Sequence, residues 1–159
     1  MKEKSRLSDD MKELDYYLSQ YHYAVIEKDS LRHRQKELQS EFNAPLRAGQ
    51  MENNGKKPAE SEGSASLSIR LDEINRRIDD QVRHSEKVLL EIMDIIDYLP
   101  PHSLERLIFE HRYIDRYGWE KICRVCHISR TPAIRRWRLG LEKLLAYDRI
   151  RKIVSEYEG

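Results

Sequence analysis

The feature that most constrains this chain is a stripe of apolar residues spaced alternately four and three apart: Leu7, Met11, Leu14, Leu18, Tyr21 and Val25. An α-helix turns once every 3.6 residues, so this spacing keeps a narrow apolar seam on one side and calls for a second helix along it. Beyond Val25 the register slips, and Leu31, Leu38 and Phe42 resume it with polar Gln35 between them. Such a slip resembles a stutter, in which the stripe drifts around the helix. The pattern predicts one helix over about residues 8–42.

A second stripe runs through Leu67, Leu71, Ile74, Ile78, Val82, Leu89, Ile92, Ile96 and Leu99. It predicts a helix over about residues 66–99, stopped by Pro100-Pro101. Each helix would be about 50 Å long. Two helices of matched length, each with one apolar stripe, fold most simply as an antiparallel coiled-coil hairpin; pairing between chains is the alternative. Between the stripes, residues 43–66 hold Pro45, Gly49, Gly55, Pro58 and Gly63 among polar residues. Without periodicity or apolar content, that stretch reads as a flexible, disordered linker.

These stripes make the expected fold all-α, with residues 1–100 as a helical hairpin arm and residues 101–159 as a separate C-terminal domain. Composition agrees: charged residues are 36% of the chain and aromatics 8%, which suits long, partly solvated helices better than sheets. No apolar run reaches the length of a membrane span and no signal peptide is evident, so no membrane role is expected. Two cysteines without a framework fit a reducing cytosol. The net charge of +1 hides an asymmetry. Residues 101–159 carry 13 Lys and Arg against 8 Asp and Glu, a balance of +5, which leaves −4 for residues 1–100. The basic end is the candidate for nucleic acid.

Within that end, Ser103 is placed to cap a helix whose inner face holds Leu104, Leu107, Ile108 and Tyr113. The run breaks at Tyr117-Gly118. A short helix starts at Trp119 with Ile122, Cys123 and Cys126 on one side, His127-Ile128 form a turn, and Ser129 takes an N-cap position. Pro132 fits the first turn that follows, where N–H groups have no intrahelical partner. The last helix buries Ala133, Trp137, Gly140, Leu141 and Leu144, and this inward set predicts that residues 101–159 form a self-contained core.

Helix, tight turn and basic helix is the order that places a second helix in the DNA major groove. With Ala133, Trp137 and Leu141 inward, Arg130, Thr131, Ile134, Arg135 and Arg138 point outward. Arginine grips guanine or phosphate bidentately, and Thr and Ile offer methyl contacts to thymine. The face has three arginines and no acid, whereas a merely solvated face usually mixes Glu with Lys.

The segment ERLIFEHRYIDRYGWEKICRVCHISRTPAIRRWRLGLEKL resembles region 4 of bacterial sigma factors. The matching features are Arg112-Tyr113, Lys121-Ile122-Cys123, Ser129 and the closing Leu141 to Leu144. Together with the upstream arm, it is similar to phage late-gene regulators of the RinA and ArpU kind. That resemblance implies a helix-turn-helix protein of phage or prophage origin in the bacterial cytoplasm, working with host RNA polymerase. It puts base reading on Arg130, Thr131, Ile134 and Arg135. His127 stands where the pattern has Gly, Cys123 where it has Ala, Cys126 where it has Leu, and Pro132 replaces a polar contact residue.

Other signals point away from chemistry. Cys123-x-x-Cys126 lacks the second ligand pair that structural zinc needs, and both cysteines fall on inward positions as packed thiols. The six histidines show no ligand spacing, and there is no phosphate-cradling Gly loop. No metal, cofactor or enzymatic activity is expected. The Tyr16, Tyr17 and Tyr23 cluster is open between a docking patch and a cover for a neighbouring helix.

The expected function is that of a sequence-specific, double-stranded-DNA-binding transcription regulator, a homodimer or higher homo-oligomer because one helix-turn-helix covers little duplex. Two rivals remain. A small terminase subunit also joins such a motif to oligomerising helices, and a polymerase-docking module would barely touch DNA.

Overall fold

The computed structural model describes residues 6–43 and 57–157. All regular structure among them is helical, in the order α1 (Asp9–Leu18), α2 (Gln20–Asn43), α3 (Lys57–Ile96), α4 (Leu104–Phe109), α5 (Trp119–Cys126), α6 (Arg130–Leu145) and α7 (Asp148–Glu156). A π-helical turn, Glu110–Ile114, continues α4. The all-α fold is as expected, and no helix among the described residues is long and apolar enough to cross a membrane.

The first helix is not continuous. It is broken at Ser19, whose hydroxyl donates to the Asp15 carbonyl at 2.7 Å while its N–H is shared between the Asp15 and Tyr16 carbonyls. A serine bonding back to the preceding turn competes with the ladder and bends the helix. At the other end of α1, Ser8 caps by accepting from the Met11 N–H, and Asp9 and Asp10 suit the positive end of the helix dipole.

Helix α3 begins at Lys57 rather than at Ser66, so the expected linker is too long by its last ten residues; residues 44–56 lie outside the described part. Pro58 is tolerated in a first turn, and Ala59, Glu60, Glu62 and Ala65 are good helix formers. Gly63 is the one weak residue, and it faces open space.

The chain divides into two compact units, one of residues 24–85 and the other of residues 6–23 with 86–157. In the first, Ala24, Val25, Leu67, Leu71 and Ile78 are buried. Gln35 donates to Asn75 at 2.6 Å and Gln81 to the Ala24 carbonyl at 3.2 Å, so the two helices run antiparallel within one chain. On the outer face of α3, Glu73 pairs with Arg76 and Arg77, and Asp80 with Arg76 and Arg83. These bridges are solvated and worth little individually.

The second unit corrects the boundary expected at residue 100. Leu14 and Leu18 of α1, and Val88, Ile92, Ile95, Ile96 and Leu99 at the end of α3 and just after it, share one cluster with Ile108, Phe109, Tyr113, Ile122, Leu141 and Leu144. Leu14, Leu18, Ile92, Ile96 and Leu99 are almost fully buried, which at about 2 kcal/mol each is roughly 10 kcal/mol of gross burial. Residues 101–157 therefore do not enclose their own core.

Helix α7 was not anticipated. It closes the unit by burying Ile150 and Val154, one turn apart.

Candidate nucleic-acid interface

The candidate interface is α5, the turn after it, and α6. Its position is set by the preceding α4 and the π turn. Ser103 caps α4 by accepting from the Arg106 N–H at 3.2 Å. The inner face then runs through Glu105, Ile108, Phe109 and Tyr113, all buried, whereas Leu107 is 40% exposed. Of the expected inner face, Leu104, Ile108 and Tyr113 pack into the core and Leu107 alone turns out. The reason is Glu105, which looks solvated in sequence but lies inside because Arg136 reaches it at 3.0 Å and Lys143 at 3.7 Å. Burial pushes its carboxyl up, but its own backbone N–H, Arg136 and Lys143 outweigh this and hold it below the usual carboxylate range.

The segment from Asp115 to Gly118 aims α5 and is tightly tied. His111 Nδ1 lies 2.7 Å from Asp115, and the His111 ring stacks on Tyr117 at 5.1 Å, with the Lys121 ammonium 4.0 Å from the same tyrosine ring. Arg116 takes a left-handed conformation, φ 63°, and its Nε donates to His22 Nδ1 at 3.2 Å. Burial and the Arg116 charge push the His22 pKa down, so the ring is neutral and free to accept at pH 7.

Arg112, on the π turn, is an internal strut. Its guanidinium carbon lies 4.6 Å from the Trp119 ring centre and 5.4 Å from that of Trp137, and the two indoles meet edge to face at 5.6 Å. Its Nε is buried without a hydrogen-bond partner; the ring faces meet the charge instead. Trp137 Nε1 donates to the Tyr113 hydroxyl at 2.8 Å, and that hydroxyl donates to Asp15 at 2.6 Å. A buried relay thus fastens α6 to the π turn and to α1.

Ile122 is the fully buried anchor of α5. The helix ends at His127, φ 53° and ψ 46°, and the Ile128 N–H closes the end on the Cys123 carbonyl at 3.0 Å. Ser129 has the extended backbone of an N-cap, but its hydroxyl makes no capping bond. Pro132 falls in the first turn of α6, as expected. Ala133, Trp137, Gly140, Leu141 and Leu144 form the inner side of α6, residue for residue as read from the sequence.

The five outward residues divide into two groups. Arg130, Thr131 and Arg135 are exposed. Ile134 is half-buried and packs against the core, because the adjoining cluster extends past the inner stripe. Arg138 is also half-buried, with its Nη2 donating to the Arg6 carbonyl at 3.0 Å. Nothing in the sequence signals that contact, since 132 positions separate the two residues. Arg124 and His127 add exposure on α5 and the turn. The exposed surface can therefore donate charge-assisted hydrogen bonds from two arginines on the first turns of α6.

Cys126 packs against the core and Cys123 is half-buried; both are free thiols. Burial, then Cys123, pushes the Cys126 thiol up. Among the described residues no cluster of three or more His, Cys, Asp or Glu has metal-holding geometry. On the first helix, Tyr17 is buried with its ring edge-on to Tyr157 at 5.2 Å, so it covers the end of α7. Tyr16 and Tyr23 are about half exposed.

No family model, curated protein or solved structure matches this chain.

Proposed function

We propose that this protein is a sequence-specific DNA-binding transcription regulator that lays the first turns of α6 in the major groove of duplex DNA. One observation carries the reading. Arg130, Thr131 and Arg135 stand exposed together on the helix that follows a left-handed turn, on a face with no acid before Glu142. Arginines so placed read guanine edges or clamp phosphates, and the Thr131 methyl suits thymine. Ile134 and Arg138 border that contact. The likeness to sigma region 4 and to RinA- and ArpU-type regulators supports a task in phage late-gene activation beside host RNA polymerase. A homodimer, by doubling the duplex covered, would supply the specificity one helix lacks.

The test starts with footprinting on DNA flanking the protein's own coding region, to supply a preferred duplex. Arg130→Ala and Arg135→Ala are then compared on that duplex and on a random one at two salt concentrations. An arginine that reads a base costs about 1–3 kcal/mol on the preferred duplex when removed, roughly 5- to 150-fold in Kd. One that touches only phosphate weakens both duplexes alike and flattens the salt dependence. Parental affinity in both variants on both duplexes sinks DNA reading by α6 and leaves polymerase docking as the account of the sigma-like pattern.

A further inference from the structure

We infer that Arg6 is a second, sequence-independent DNA contact, a phosphate clamp that the chain's N-terminal segment delivers to the far end of the α6 face. The inference rests on the DNA-binding reading of α6. Three observations place Arg6 there. Its carbonyl accepts from Arg138 Nη2 at 3.0 Å, which fixes its backbone beside α6. Leu7 packs against the core, which holds the next residue down, and Ser8 caps α1, which fixes where the helix begins. The Arg6 side chain itself is exposed.

Arg138 lies eight residues after Arg130, about 12 Å along the helix axis at 1.5 Å per residue. A duplex gripped by Arg130 and Arg135 would therefore pass Arg6 at the opposite end of the same face. Of the acids that follow in α1, Asp9 stands exposed in its first turn. Asp10 and Glu13 line one hollow with Arg151 and Lys152 of α7, so that part of α1 faces basic residues of its own chain. An exposed guanidinium held by its backbone, with its side chain unconstrained by base-edge geometry, suits a phosphate better than a base. It also gives Arg138 a distinct role: its hydrogen bond positions the N-terminal segment as well as bordering the DNA.

The experiment uses the full chain. Arg6→Ala removes the side chain and leaves the carbonyl that Arg138 holds, so the strap persists and the fold is undisturbed; an unchanged thermal melt documents this. Affinity for the preferred and the random duplex is measured by fluorescence anisotropy between 50 and 200 mM salt, for the parent, Arg6→Ala and Arg6→Lys. Losing one phosphate contact lowers the slope of log K against log salt by about 0.9, so the variant loses about 3.5-fold less affinity across that fourfold salt range. Both duplexes should weaken alike at the low-salt end, and Arg6→Lys should keep the parental slope. A parental slope in Arg6→Ala overturns the clamp while DNA binding by α6 stands. A loss confined to the preferred duplex, unrescued by lysine, overturns it in favour of base reading. A parent that binds neither duplex removes the clamp and the DNA-binding reading together.

Discussion

Gly140 sits where α6 crosses the fully buried Phe109 ring, and the small residue is what lets them approach. A Cβ built on Gly140 would stand 2.8 Å from Phe109 Cζ and 3.2 Å from Cδ1, with Cε1 closer still. Ordinary carbon contacts are 3.5–4.0 Å, so Gly140→Ala forces either α6 or the ring to move by most of an ångström. The ring has little room: Phe109 is 0% exposed and rests edge-on against Tyr113 at 5.3 Å, which is fastened to both Trp137 and Asp15. Two effects oppose each other. Replacing a mid-helix glycine with alanine stabilises by about 1 kcal/mol through helix propensity, and overpacking a well-filled core costs about 1–3 kcal/mol. With an aromatic ring pinned on its far side, the upper end of that range applies, and the net is a destabilisation of about 2 kcal/mol. For a chain of this length that lowers Tm by about 4–8 °C. Urea titration followed by tryptophan fluorescence reads it directly, since Trp119 and Trp137 lie in the same unit. The double variant Gly140→Ala, Phe109→Leu should cost less than the sum of its parts, because the smaller side chain relieves the clash. Gly140→Ala as stable as the parent would refute the argument, showing that propensity outweighs the contact and that the ring is not pinned.

Two further outcomes follow from the same unit. Burial first, and then the Asp15 charge, push the Tyr113 hydroxyl well above 10; the native state keeps a proton that the unfolded chain gives up near pH 10. Stability should hold below pH 10 and fall as pH rises beyond it. Tyr113→Phe should cost about 1–3 kcal/mol at neutral pH by orphaning Trp137 Nε1 and Asp15, and should shallow that alkaline fall without abolishing it, since Tyr17 and Tyr157 are raised as well; an unchanged alkaline limb would count against the relay. His127→Gly should raise Tm by up to about 4 °C: an exposed side chain is removed, relief of the left-handed backbone is worth about 1–2 kcal/mol, and the greater freedom of glycine in the unfolded chain takes back about 1 kcal/mol. A lower Tm would mean that the imidazole makes a compensating contact.

Period and punctuation carried most of the fold into the sequence. Both long helices, the Ser103 cap, the break at Tyr117-Gly118, and the inner side of α6 follow from apolar spacing and from residues whose backbone preferences are local. What escaped was whatever depends on a partner remote in sequence. Glu105 reads as solvated until Arg136 and Lys143 reach it from α6, and once it turns inward Leu107 must turn out. The bend at Ser19 has a local cause, but serine occurs in many straight helices and signals nothing alone. The boundary expected at residue 100 fails for a similar reason. Pro100-Pro101 does end a helix, yet ending a helix is not ending a domain, and which core receives Leu14, Leu18, Ile92 and Ile96 is decided by surfaces on both sides of that break, up to about 130 residues away. The outward face of α6 was half legible on the same grounds. Helical phase alone puts Arg130, Thr131 and Arg135 outside; phase cannot know that an adjoining cluster takes up Ile134, or that the carbonyl of Arg6 takes up Arg138. Those two residues lie where α6 stops being a bare helix and becomes the edge of a packed unit. Substitutions at Arg138 should therefore disturb both stability and the proposed DNA contact, whereas Arg130 and Arg135 can be changed with the fold intact, which makes them the cleaner probes of that proposal.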